Sequence, residues 1–160
     1  MVNEALNFIK ISRHENVEVV YSKEKNQHAV LSLKNFNAGD IIISFSAKET
    51  FVHPTYLTIQ LDKEKHISLD PEYLQYTNHS CNPNVFFNTT DFNLVALNNI
   101  GVGEEITFFY PSTEFEMAQP FECFCQQKNC LGKIDGAKNT PLQTMKKYRV
   151  SAFIQSQLFL

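Results

Sequence analysis

The sequence predicts a mainly β fold that ends in a helix, and three observations carry this expectation. Short apolar segments recur along most of the chain, separated at frequent intervals by turn signals. Only near the C-terminus does the apolar spacing become helical, just after Thr140-Pro141-Leu142-Gln143. That run offers a Thr N-cap, a first-turn Pro and a Gln capping-box partner. Fourteen Phe, six Tyr and no Trp in 160 residues then give one domain an aromatic core to close around.

Residues 1–14 are polar and carry no clear element. Val17 to Tyr21 and Ala29 to Leu33 alternate as strands, and the turn Asn37-Ala38-Gly39-Asp40 leads into Ile41-Ile42-Ile43. Three adjacent isoleucines predict a strand buried on both faces. Tyr56 to Leu61 and His66 to Leu69 flank a charged turn and predict a hairpin, and Val85 to Asn88 with Leu94 to Leu97 predict another. A turn over Gly101 to Glu105 precedes the apolar run Ile106 to Tyr110, which Pro111 stops. Leu142, Met145, Tyr148, Ala152 and Phe159 then predict one terminal helix packed on the sheet.

A formal charge of −3 with no basic run longer than Lys146-Lys147 argues against direct nucleic-acid binding, which demands a basic face. No segment approaches the roughly 18 apolar residues of a membrane span, and Met1 to Lys10 lacks a signal peptide's apolar run. An intracellular protein is expected, and there cysteines serve metals or catalysis more often than disulfides.

The four cysteines are Cys81, Cys123, Cys125 and Cys130. The last three form C-x-C-x4-C, whereas a closed structural zinc site wants four ligands. Cys81 is the only other cysteine, and it lies in the polar, turn-forming loop Asn78-His79-Ser80-Cys81-Asn82-Pro83-Asn84. A four-thiolate zinc site closed by Cys81 would use every cysteine and draw the C-terminal segment onto that loop. The alternative leaves Cys81 as a small buried hydrophobe and the others as free thiols, exposed to oxidation. A His79–Cys81 catalytic pair is disfavoured, because residues two apart on one extended loop need not face each other.

The 78–84 loop resembles the N-H-S-C-x-P-N signature of SET-domain protein lysine methyltransferases. Gly103-Glu104-Glu105-Ile106-Thr107-Phe108-Phe109-Tyr110 is similar to their G-E-E-L-T-F-D-Y element, and C-x-C-x4-C followed by Leu131-Gly132 is similar to their post-SET zinc motif. The resemblance implies a SET-type β-clip of several small curved sheets, with a knot-like crossing of the second motif past the first. It divides the chain into a SET region over 1–110, a zinc-bound post-SET segment over 111–132 and a tail over 133–160 that carries the helix. It also implies S-adenosylmethionine as cofactor and a protein or peptide bearing lysine as substrate.

The roles carried over are specific. Tyr110 becomes the catalytic tyrosine and a cofactor contact. Asn78 and His79 line the cofactor pocket, with His28, Ala29, Gln75 and Phe124. Phe45 and Phe108 border the substrate channel, where a Phe at 108 leaves room for di- or trimethylation. Cys81, Cys123, Cys125 and Cys130 hold the metal. The chain also departs from the family pattern: Gln27-His28-Ala29 replaces G-x-G, Phe45 replaces a Tyr, Gln75 an Arg and Phe109 an Asp. These departures support a second reading, a SET-like module that binds peptide without cofactor.

Overall fold

The computed structural model describes residues 7–159. Residues 1–6 of the polar N-terminal stretch lie outside it. The strands are β1 (Phe8–Arg13), β2 (Val17–Ser22), β3 (Gln27–Ser32), β4 (Ile41–Ser44), β5 (Ser46–Phe51), β6 (Ile59–Asp62) and β7 (Lys65–Asp70). They continue with β8 (Asn78–His79), β9 (Val85–Asn88), β10 (Asn93–Ala96), β11 (Thr107–Phe108), β12 (Phe121–Glu122) and β13 (Lys133–Ile134). Two short helices, α1 (Leu142–Met145) and α2 (Ala152–Leu158), follow. The expected mainly β architecture of several small sheets is what the chain adopts.

Three three-stranded sheets, ordered β1-β2-β3, β4-β10-β9 and β5-β7-β6, surround one apolar core. Both expected hairpins form: β6 pairs with β7, and β9 with β10, antiparallel in each case. Val17, Val30, Ile42, Ile67, Phe87, Leu94 and Ile106 meet in the middle, all but excluded from solvent. Aromatic rings supply much of the packing, with Phe87 edge-on to Phe45 at 5.6 Å and to Phe108 at 4.7 Å between centroids.

Four expectations need correction. The isoleucine strand is not buried on both faces: Ile42 is 1% exposed while Ile41 is 58% exposed. At the edge of its sheet, β4 sends Ile42 into the core and packs Ile43 against it, while Ile41 at its start faces solvent. The apolar run 106–110 contributes only the two-residue β11, because it runs parallel beside the equally short β8. β1 was missed because it is solvent-facing and lacks a core-facing apolar pattern, although it pairs along its length with β2.

The fourth correction concerns the tail. The terminal helix is broken into α1 and α2, which pack together with Phe109 and Ala137 in a second small core rather than on a sheet. Thr140 does not cap; its hydroxyl donates to Gly136 O at 2.8 Å. Ser151 opens α2 instead, accepting the Ile154 N–H at 3.2 Å. Periodicity ran through the break because Met145, Tyr148 and Phe159 join the same small core, although Leu142 and Ala152 of the pattern face solvent.

Gly136 joins this core to the rest of the chain. Its φ is +89°, and a Cβ there would lie 2.5 Å from Phe115 O. Gly136→Ala is expected to cost about 2 kcal/mol or more, from strain plus a clash with backbone. Gly39→Ala, at φ +92° but facing open space, should cost about 1 kcal/mol. Urea unfolding of both variants measures the difference.

Candidate functional site

The parallel pair β8–β11 brings the two polar motifs side by side. Thr107 registers with Asn78 and Phe108 with His79, and the loop that follows folds back to bond the same segment. Ser80 N–H donates to Phe108 O at 3.0 Å, Asn84 N–H to Thr107 O at 3.1 Å, and Thr107 N–H to Asn84 Oδ1 at 2.9 Å. The loop from 78 to 84 therefore holds β11 along its length and fixes where the next residues emerge.

Tyr110 emerges there. Its N–H donates to His79 Nδ1 at 3.1 Å and its hydroxyl to Thr77 O at 3.1 Å. Burial, reinforced by the negative charges of Glu105 and Glu114, pushes its pKa above the ordinary phenol value. It is a neutral hydroxyl whose oxygen still has lone pairs to offer. Phe108, Phe121 and His79 crowd the ring from three sides, with centroids 4.6, 5.8 and 5.2 Å away.

Because His79 Nδ1 accepts a hydrogen bond, the ring's proton sits on Nε2, which lies 3.4 Å from Cys81 Sγ. Burial lowers this imidazole to about 4, so it is neutral and both nitrogens are engaged within the protein. His79 and Cys81 do face each other, contrary to expectation. The sulfur, however, is committed elsewhere.

Cys81, Cys123, Cys125 and Cys130 bring their sulfurs within 4.8 Å of one another. A tetrahedral ion with metal–sulfur bonds of about 2.3 Å requires sulfurs about 3.8 Å apart, and the Cys81 and Cys123 sulfurs are 3.9 Å apart. The donor set therefore fits a closed four-thiolate centre. Burial pushes the Cys81 thiol up to about 11 and Cys123 higher still. Those two thiols stay neutral until a bound cation offsets that cost, whereas Cys125, against its own burial, is brought down to about 7 by hydrogen bonds.

The loop is gripped from its far side as well. Leu131 N–H donates to Cys81 Sγ at 3.4 Å, and Asn129 Nδ2 and the Tyr148 hydroxyl both donate to Cys81 O, at 2.7 and 2.6 Å. Tyr148 stacks on Phe109 at 3.7 Å. Phe109 stands where the sequence pattern anticipated Asp, and its ring anchors the tail.

These segments enclose a cavity of about 940 Å³. Gln75, Asn78, His79, Phe108, Tyr110 and Phe124 all line it, so the structure brings together most of the expected site. Three expected residues stand off it. Ala29 is buried on β3. The His28 ring stacks on Tyr76 at 4.3 Å, and its carbonyl accepts from Asn78 Nδ2 at 2.7 Å. Phe45 lies in the main core against Phe87 and Phe92, where a ring without a hydroxyl gains most by burial. Neither Phe45, His28 nor Ala29 contacts the cavity; Lys25 and Gln27, from the turn before and the start of β3, do.

Three cavity carboxylates were overlooked, of which Glu122 is exposed at the end of β12 while the other two are held by the chain. Glu105 accepts from Asn78 Nδ2 at 2.9 Å; its place in Gly103-Glu104-Glu105 was the available signal. Glu114 is 7% exposed, and its Oε2 accepts the Gln60 N–H at 3.0 Å. Nothing in sequence marks it, because its position on the wall follows from the turn at Tyr110–Ser112.

A model of the SET domain matches residues 28–111. The chain belongs to the SET-domain family. This SET-domain chain is 32% identical over 149 residues to methyltransferase flvH of Aspergillus flavus, covering 92% of this chain and 83% of that protein. It is also 32% identical over 97 residues to the H3 lysine-36-specific histone-lysine N-methyltransferase of Kluyveromyces lactis, covering 56% of this chain but only 14% of that protein. The crystal structure of KRYPTONITE in complex with mCHG DNA and SAH shares the fold, with a TM-score of 0.54 at 23% identity over 76% of this chain and 30% of that one. The SET-domain chain is therefore a homologue of methyltransferases, and it spans a small part of the histone-modifying relatives.

Glu114 sets a pH dependence. Burial raises its carboxyl from an ordinary 4.5 to about 7. Between those values the folded state keeps a proton that the unfolded state has released, so stability falls as pH rises across that window and is level above it. From about pH 4.5 to about pH 8, the wild-type protein should lose about 3 kcal/mol more than Glu114→Gln does. Urea melts at the two pH values provide the check.

Proposed function

We propose that the chain is an S-adenosylmethionine-dependent protein lysine N-methyltransferase whose four-thiolate centre holds structural zinc. The observation that carries the reading is Tyr110: a neutral phenol, oriented from both ends by Thr77 and His79, on the wall of the cavity of about 940 Å³. The relatives named as methyltransferases support it.

The bound cofactor would supply an electrophilic methyl on a sulfonium. The cavity's volume of about 940 Å³ suits such a ligand together with a side chain, against the roughly 300–1,000 Å³ common for small-molecule sites. Lys25 is the only lysine or arginine lining the cavity among the described residues, and it is suited to a carboxylate now that Gln75 replaces the family's Arg. Gln27 and Gln75 offer amides. Phe124, 81% exposed on the cavity rim, offers an apolar face for a purine. Asn78 serves indirectly, tying the His28 carbonyl and Glu105 in place.

Methyl transfer to an amine needs alignment more than covalent help. Tyr110 and the carbonyls nearby would orient the donor methyl and the amine in line, and Phe108 would border the slot without a hydroxyl, leaving room for successive methyls. Four thiolates leave no open position on zinc, so the metal would act by holding the wall that carries Phe121 to Phe124. An intracellular setting suits reduced thiolates.

The competing reading, a peptide-binding module without cofactor, draws on Gln27 and on the internal engagement of His79. Calorimetric titration with S-adenosylmethionine separates the two: binding is expected, and its absence in metal-loaded protein would leave only the module. Tyr110→Phe should retain that binding while turnover on a lysine peptide array falls by about 100-fold or more. Elemental analysis should find zinc equimolar with protein, lost in Cys81→Ser together with the folded 121–134 segment, followed by hydrogen exchange.

A further inference from the structure

Glu114 has no task in the reading above. Its carboxylate is held by the chain on several sides: Oε2 accepts the Gln60 N–H of β6 at 3.0 Å, and hydrogen bonding from Thr113 favours its ionised form. Its own N–H donates to Tyr110 O at 3.0 Å, and its carbonyl accepts the Ala137 N–H at 2.9 Å. The amide of Gln60 in turn accepts the Phe115 N–H at 2.9 Å. The group is rigidly placed, it lines the same cavity as Tyr110, and its charge acts on the Tyr110 phenol.

No lysine or arginine pairs with it among the described residues. Of the ionisable groups on neighbouring elements, Tyr110 is a neutral phenol, Glu105 is engaged by Asn78, Lys138 is paired with Glu116, and Asp62 of β6 is exposed. A buried carboxylate without a cation is a net cost to the fold. The Gln60 N–H needs only an acceptor, which a neutral amide would also provide. A charge kept under those terms and turned to a cavity fits a cation that arrives from outside.

We propose that Glu114 receives the substrate's ammonium group at the Tyr110 end of the cavity and takes its proton before methyl transfer. This rests on the methyltransferase reading for the transfer itself. The ammonium N–H bond breaks, its electron pair stays on nitrogen, and the proton moves to the carboxylate. That lone pair forms the new N–C bond as the S–C bond breaks with its electrons kept by sulfur. The protonated Glu114 then passes its proton to water. Burial holds this carboxyl at about 7, so it can accept and release a proton near neutral pH, as a general base must. The other candidates on the wall are less suited: both nitrogens of His79 are engaged, Glu105 is held by Asn78, and Glu122 is exposed to solvent.

The experiment compares the full chain with Glu114→Gln, which keeps an acceptor for Gln60, and with Glu114→Asp. In protein labelled with ¹³C at glutamate side chains, n-butylammonium chloride should lower the Glu114 titration midpoint, because an adjacent cation favours the charged form. Affinity for n-butylammonium should fall by about tenfold or more in Glu114→Gln. On a lysine peptide, kcat/KM of Glu114→Gln should fall by about 100-fold, with the acid limb of its pH profile moved toward the pKa of free lysine, and Glu114→Asp should restore part of the loss. A Glu114 resonance indifferent to n-butylammonium, or a Glu114→Gln profile that overlays the wild type, overturns the assignment. If n-butylammonium moves Glu114 while S-adenosylmethionine gives no heat, the ammonium site stands and methyl transfer falls. If the cofactor binds and Glu114 stays silent, the reverse holds.

Discussion

Segments from four parts of the chain converge on Cys81, and the cavity exists because they do. Its sulfur meets His79, Cys123 and the Leu131 N–H, while its carbonyl is held by Asn129 and Tyr148. None of these contacts is large alone, since a net hydrogen bond contributes about 1 kcal/mol. Together they dock the 121–134 segment and the tail onto the loop that orients Tyr110. A four-thiolate metal would add far more, because folding and metal binding become one equilibrium when the ligands are spread through the sequence. The wall of the cavity is therefore a property of the loop as much as of the segment that forms it.

The electrostatics of the cavity follow a consistent logic. Three of its ionisable groups are deeply buried, and burial drives each toward its neutral form: Tyr110 protonated, His79 unprotonated, Glu114 near the midpoint of its titration at neutral pH. Two phenols and three glutamates line the space, with one lysine among the lining residues. Such a lining is hospitable to a positively charged guest and indifferent to an anion away from Lys25. Sulfonium and ammonium are both of that kind.

What could be read from the sequence was what short-range pattern encodes. The hairpins β6–β7 and β9–β10 announced themselves because their turns and alternation are local, and the closure by Cys81 followed because a three-thiolate motif has an obvious deficit. Ile41, the break between α1 and α2 and the placement of Phe45 were not readable. Each depends on which neighbour sits opposite, a fact that only the assembled sheets supply. Glu114 is the sharpest case: a glutamate in a polar stretch reads as surface until the turn after Tyr110 folds it under β6. His28 lies on the right strand but on the face opposite Gln27, while Ala29 shares that face and is buried beyond the cavity, which only Lys25 and Gln27 reach from there.

The pairing of β8 with β11 has a consequence for the order in which the molecule comes together. Both strands are two residues long and parallel, and the whole β9–β10 hairpin lies between them in sequence. Strands so short have no stability of their own, and closing the intervening loop yields few contacts until its hairpin is already formed and docked. The surroundings of Tyr110 must then be among the last parts to be built and the first to loosen, so that a partly folded chain would have a complete-looking core and no chemistry.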